Sequence, residues 1–128
     1  MAAKFELIPN PTFKLPVSIP CAGEADGSIT FTFKHLATDE LSDIQGDFSD
    51  RIEALMKEHE GQELSAAQID KLQRPIMVGF LEAIASGWDL KQEFNAENLD
   101  TLLRYRPAAF VAITSAFRLE LWAVRQKP

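Results

Sequence analysis

Residues 12–35 alternate. Phe13, Leu15, Val17 and Ile19 stand between Thr12, Lys14, Pro16 and Ser18, and Ile29, Phe31 and Phe33 stand between Thr30, Thr32 and Lys34. A period of two puts each apolar set on one face of a strand. The segment from Pro20 to Ser28 carries Gly23, Asp26 and Gly27, which suit a turn. Together they predict an antiparallel β-hairpin with one apolar face. Pro16 has no N–H to give to a ladder, so its strand belongs at a sheet edge. A lone hairpin is marginal in water, so this one must pack on the rest of the chain or pair with another chain through its open edge. Residues 1–11 contain Pro9 and Pro11 and hold no sustained period; they read as an extended arm.

From residue 36 the period becomes helical. Leu41, Ile44, Phe48, Ile52, Leu55 and His59 step by three or four and line one face. Thr38 fits the N-cap of this helix, with Asp39 and Glu40 where the helix dipole favours anions. Gly46 weakens its interior by about 1 kcal/mol, and Gly61 suits its C-terminal stop. Ser65-Ala66-Ala67-Gln68 has the form of a capping box. It opens a second helix lined by Ile69, Leu72, Ile76, Phe80 and Ile84. Pro75 within that pattern predicts a kink, or a fresh start near Arg74. The helix should end at Ser86-Gly87. Asn95 can cap a short third helix over Ala96–Leu103, and Pro107 suits the first turn of a last helix reaching about Val124.

The last helix is apolar most of the way round. Phe110, Ile113, Phe117, Leu121 and Val124 form one stripe; Ala109, Ala112, Ala116, Leu119 and Ala123 form another; Thr114, Ser115, Arg118 and Arg125 leave a narrow polar side. Such a helix is either central to a core or shared with another subunit. The predicted class is therefore α+β, mostly α-helical: an N-terminal antiparallel β-hairpin followed by four or so helices, in a single domain over 1–128 whose helical part is 36–128.

Composition adds little to that class but narrows the chemistry. The chain has 128 residues, 46% hydrophobic and 25% charged, which is ordinary for a globular domain. Its formal net charge is −6, a poor match to a phosphate backbone. The single cysteine, Cys21, allows no intrachain disulfide. The N-terminus lacks the pattern of a signal peptide. The uncharged stretch Pro107–Phe117 is too short to span a bilayer. Neither nucleic acid nor a membrane is expected as a partner. Charge is segregated: nine acids against Arg51 and Lys57 between Leu36 and Leu64, and five bases against Asp100 and Glu120 from Asp100 onward. The plain reading is solvated helix faces; the alternative is attraction between neighbouring copies.

Catalysis finds no candidate set. His35 and His59 are far apart in sequence, and Lys57-Glu58-His59-Glu60 lacks the second histidine of the zinc protease motif. Asp43, Asp47 and Asp50 share a helix face but lack the spacing and glycine of a calcium loop. No GxSxG, GxxxxGK[ST] or GxGxxG occurs. No cofactor and no metal are expected. Interface positions are a different matter. Trp88 and Tyr105 are candidate aromatic anchors, although Trp88 after a helix stop also reads as a ring plugging the core. Phe110, Phe117, Leu121 and Trp122 are candidates from the apolar excess of the last helix.

Two short motifs carry a resemblance: Ser86-Gly87-Trp88-Asp89 at the end of the second helix, and Leu102-Leu103-x-x-x-Pro107-Ala108-Ala109 leading into the apolar helix. With the hairpin and acidic helix before them, they make the chain resemble the tail assembly chaperones of lambda-like, long-tailed bacteriophages and their prophages. That resemblance implies a protein of the host cytoplasm that binds the helical tape measure protein. It would keep that client soluble, help recruit tail tube subunits, and be absent from the finished virion. It also implies rings or spirals of copies, and a longer product, made by ribosomal frameshifting, whose added domain contacts the tail tube protein. The closing Gln126-Lys127-Pro128 is compatible with an A-rich slippery codon pair. A small acidic regulatory or antitoxin-like interaction module would share the acidity and the lack of a catalytic set.

Overall fold

In the computed structural model, which describes residues 4–123, the chain runs β1 (Thr12–Ile19), β2 (Gly27–Lys34), α1 (Thr38–Glu58), α2 (Ala66–Ile84), β3 (Ala85–Trp88), α3 (Ala96–Tyr105) and α4 (Ala109–Leu121). The architecture is α+β and mostly helical, as the periods predict. The hairpin forms with Phe13 opposite Phe33 and Val17 opposite Ile29. Its turn closes with Glu24 N–H donating to the Cys21 carbonyl at 3.2 Å. Gly23 sits within this turn at φ 76, where a side chain is strained.

The third strand was not legible in the periods. The sheet order is β1-β2-β3, so α2 runs without a loop into a strand, ending at Ile84 rather than at Ser86-Gly87. Phe33 pairs with Ala85 and Thr32 with Gly87, which leaves Ser86 as a bulge. Beyond Trp88 the ladder is continued by a side chain. Asp89 N–H donates to the Thr30 carbonyl (3.1 Å), and the Asp89 carboxylate accepts from Thr30 N–H (3.0 Å). A four-residue strand gains its end from that substitute.

β1 is one edge of the sheet and β3 the other, and Pro16 sits where it does least harm. His35 N–H donates to the Pro11 carbonyl at 2.8 Å. Alternation along the antiparallel register then turns the backbone groups of Thr12, Lys14, Pro16 and Ser18 away from β2. Pro16 thus blanks one outward donor, and the exposed Lys14 stands beside it. Proline and lysine are the usual means of keeping an edge from pairing, so strand addition along β1 is opposed by the sequence itself.

Helix ends follow local chemistry. Ser65 Oγ accepts from Gln68 N–H (3.2 Å) while Gln68 Oε1 accepts from Ser65 N–H (2.8 Å), a complete capping box. Asn95 Oδ1 accepts from Asn98 N–H (2.8 Å) at the start of α3. Thr38 is not a cap: it is the first helical residue, and Ala37 stands at the N-cap. Alanine has no acceptor, so only half a box exists there, with Glu40 Oε1 accepting from Ala37 N–H (2.9 Å). α2 is continuous across Pro75 and does not start afresh. α3 runs two residues beyond Leu103, and α4 spans less than Pro107–Val124. Pro107 acts as the stop of α3, not as the first turn of α4, because Arg106 before it is held out of the helical region at φ −128, ψ 72. Val124, Arg125 and Lys127 lie outside the described residues.

One apolar cluster draws on every element. It joins Val17, Ile19, Ile29, Phe31 and Phe33 of the hairpin to Val78, Leu81 and Ile84 of α2, Leu99 and Leu103 of α3, and Ala109, Ile113 and Phe117 of α4. α4 is wedged between two layers. Phe117 meets Phe33 (ring centroids 5.0 Å) and Phe13 (6.2 Å) on the sheet side, while Phe110 meets Phe48 (5.8 Å) and Phe80 (5.9 Å) on the helix side. α1 is peripheral: of its residues only Leu41 is buried. An ion node ties α2 to α3. Arg74 Nε lies 2.6 Å from Asp100, with Asp70 on its other nitrogen. The Asp100 hydrogen bond holds the guanidinium pKa above its ordinary value, against partial desolvation.

α4 ends under strain. Ala123 has φ 52, and among the described residues no other non-glycine has positive φ. Its N–H donates to the Glu120 carbonyl at 2.9 Å, the position a glycine usually takes. Ala123→Gly should therefore raise stability by up to about 1 kcal/mol, read as a higher urea midpoint at unchanged slope.

Candidate interaction surfaces

Three apolar side chains on the arm have almost no cover: Phe5 (85% exposed), Leu7 (89%) and Ile8 (84%). Pro9 and Pro11 keep this segment out of helix and ladder, so its apolar groups are presented rather than folded in. The arm comes beside the end of α4. Leu7, Ile8, Pro9 and Pro11 line one wall of an open cleft of about 630 Å³, and Leu36, Leu121 and Trp122 line the other. Trp122 is 57% exposed. Val111 and Leu119 extend the exposed apolar character along the outer face of α4. Exposed apolar side chains gathered at a cleft make it a candidate interaction surface.

A second concavity lies between the long helices. Ile44 and Phe48 of α1 face Pro75, Ile76, Gly79, Phe80 and Ala83 of α2 across about 350 Å³, with Asp43, Asp47 and Arg51 on the α1 rim. Asp47 and Arg51 satisfy each other at 2.8 Å, an exposed pair of little energetic weight.

The six interface candidates separate into distinct environments. Trp88 is half-buried; its Nε1–H donates to the Gln92 carbonyl (2.7 Å), and its ring meets Phe94 at 5.2 Å and Phe31 at 6.1 Å, both edge to face. It closes the end of the sheet. Phe117 is 2% exposed and belongs to the core, so it is not presented to a partner by this fold. Phe110 is half-buried in the Phe48–Phe80 trio. Tyr105 is 72% exposed, with the Arg104 guanidinium 5.8 Å from its ring centre. Leu121 and Trp122 meet at the cleft. The fold adds Phe5, Leu7 and Ile8 to this set. Their signal was present as apolar residues ahead of Pro9 and Pro11, but without a period to assign them a face.

The polar groups do not converge. His35 is exposed, with its ring 5.7 Å from Phe13. His59 caps α1 and contacts Gln62 (3.0 Å). Cys21 Sγ donates to the Ile19 carbonyl (3.4 Å). Among the described residues, no group of three histidine, cysteine or acidic side chains is arranged to hold a metal ion, and no helix is long and apolar enough to cross a membrane.

A model of the phage tail assembly chaperone family matches residues 1–128, the whole length of the chain. The chain belongs to that family. No curated protein and no solved structure matches it. The family is one of assembly chaperones rather than of enzymes.

Proposed function

We propose that this chaperone acts in the host cytoplasm on the tape measure protein, holding that long apolar helix soluble and helping to gather tail tube subunits around it before leaving the finished virion. The observation that carries this reading is the exposed apolar cleft between the arm and the end of α4, in a chain of this family. An amphipathic helix is recognised by a groove that takes its apolar face, and both concavities described above offer one. Tyr105, Leu121 and Trp122 are the candidate contacts within reach of a partner; Phe110 contributes from the wall between α1 and α4. Trp88 and Phe117 act through the fold that supports these surfaces. Copies assemble with one another into a ring or spiral, and a longer frameshifted product carries the domain that contacts the tail tube protein.

The test is a lysate of the encoding phage with this gene silenced. Heads should accumulate without tails, and mass spectrometry of wild-type virions should find the tape measure protein but not this chain. Normal tails in the silenced lysate would overturn the proposal, as would this chain in stoichiometric amounts in purified virions.

A further inference from the structure

We infer that the groove between α1 and α2 reads the charge of the helical client: it accepts a helix whose apolar stripe is bordered by Lys or Arg and rejects one bordered by Asp or Glu. The inference rests on the client reading above and specifies the chemistry of the segment that docks. It starts from shape. Asp43 to Arg51 form one wall and Pro75 to Ala83 the other, each about 12 Å long at roughly 1.5 Å per residue. A helix that docks through side chains at i, i+3, i+4 and i+7 uses about 10.5 Å of its own axis. The groove, of about 350 Å³, is matched in length to one such set. Its floor is apolar, with Ile44, Phe48, Ile76 and Phe80 all half-buried.

Gly79 fits the same reading. It lies inside α2, where glycine is a weaker helix former than alanine. A Cβ built there would meet nothing within 4 Å. Packing within the chain therefore does not require glycine at this position, and the missing side chain leaves the groove open to one from outside. Charge then selects the occupant. Over Thr38–Glu58, α1 carries seven acids against Arg51 and Lys57. The opposite wall adds no net charge, because Asp70 and Glu82 of α2 balance Lys71 and Arg74. On the rim, Arg51 is held by Asp47 at 2.8 Å, whereas Asp43 forms no ion pair among the described residues. A rim of this sign favours cations and opposes anions on whatever docks. The arm–α4 cleft has no comparable rim: Glu40, its charged lining residue, caps α1 through Ala37 N–H. Of the two concavities, the α1–α2 groove is the one built to discriminate by charge.

The experiment uses the full-length chain and two synthetic helices of about 20 residues with one apolar stripe, bordered by Lys in the first and by Glu in the second. Binding is followed by anisotropy of a dye on the peptide, at about 50 and 300 mM salt. Wild type is compared with Gly79→Leu, which fills the groove, and with Asp43→Lys/Asp47→Lys, which reverses its rim. All three positions are exposed, so circular dichroism and melting temperature should show folded variants. The wild type should bind the Lys-bordered helix at least tenfold more tightly than the other, with the ratio falling at high salt. The rim variant should invert the order, and Gly79→Leu should bind neither. Equal binding of both helices by the wild type overturns the inference, as does an unchanged order in the rim variant or undiminished binding by Gly79→Leu. A wild type that sediments as several copies and a Gly79→Leu that sediments as one would give the groove to a second copy, and would also overturn it. Co-expression with the tape measure protein separates this inference from the client reading. A client kept soluble equally by wild type and Gly79→Leu overturns the inference and leaves that reading standing; a client that neither keeps soluble overturns both.

Discussion

Phe117→Asp will leave the chain unfolded at room temperature. Phe117 is 2% exposed and lies between Phe33, which is fully enclosed, and Phe13. No polar or charged residue is buried among the described residues, so a carboxylate there finds neither partner nor water. Removing the ring alone, in Phe117→Ala, should cost about 3–5 kcal/mol through lost burial and the cavity left behind. A natural domain holds only about 5–15 kcal/mol in all, and an unpaired buried charge adds several more. Urea titration followed by circular dichroism checks both: a sharply lowered midpoint for the alanine variant, no folded baseline for the aspartate. A cooperative transition near the wild-type midpoint in Phe117→Asp would place the ring outside the core.

The second large effect separates two aromatic residues that look alike in the sequence. Trp88→Ala should destabilise by about 2–4 kcal/mol. The ring joins Phe31 of the sheet to Phe94 of the following loop, and its N–H fixes that loop through Gln92. It also precedes Asp89, whose carboxylate completes the third strand. Tyr105→Ala should change stability by less than about 0.5 kcal/mol, because its ring is 72% exposed. Paired thermal melts decide the matter. A neutral Trp88→Ala, or a Tyr105→Ala as damaging as it, would reverse the roles assigned here.

These two residues also show what was readable beforehand. The hairpin was legible because Phe13 to Ile19 and Ile29 to Phe33 alternate without interruption, and α2 and α3 were legible because Ser65 and Asn95 carry the side chains that cap a helix. The third strand was not. Its four residues are too few to show a period, two of them are Ser86 and Gly87, and the bond that fixes it comes from Asp89, a side chain standing in for backbone. Thr38 resembled a cap by residue type, but Glu40 reaching back to Ala37 performs that task one residue earlier. The apolar excess of α4 was plain in the sequence, yet sequence alone left open whether it was core or contact surface. The fold divides it: Ala109, Ile113 and Phe117 face inward, while Val111, Leu119 and Trp122 face out. The arm was hardest, because Phe5, Leu7 and Ile8 show no period that would assign them a face.

Co-expression tests the proposed client role most directly. The tape measure protein of the encoding phage would be produced alone and together with this chain carrying an affinity tag, and each lysate divided into soluble and pelleted fractions. The expected result is a pelleted tape measure protein when produced alone and a soluble one that co-purifies with the tagged chain when both are present. A tape measure protein equally soluble in both lysates and absent from the purified chain would contradict the chaperone role proposed for these surfaces.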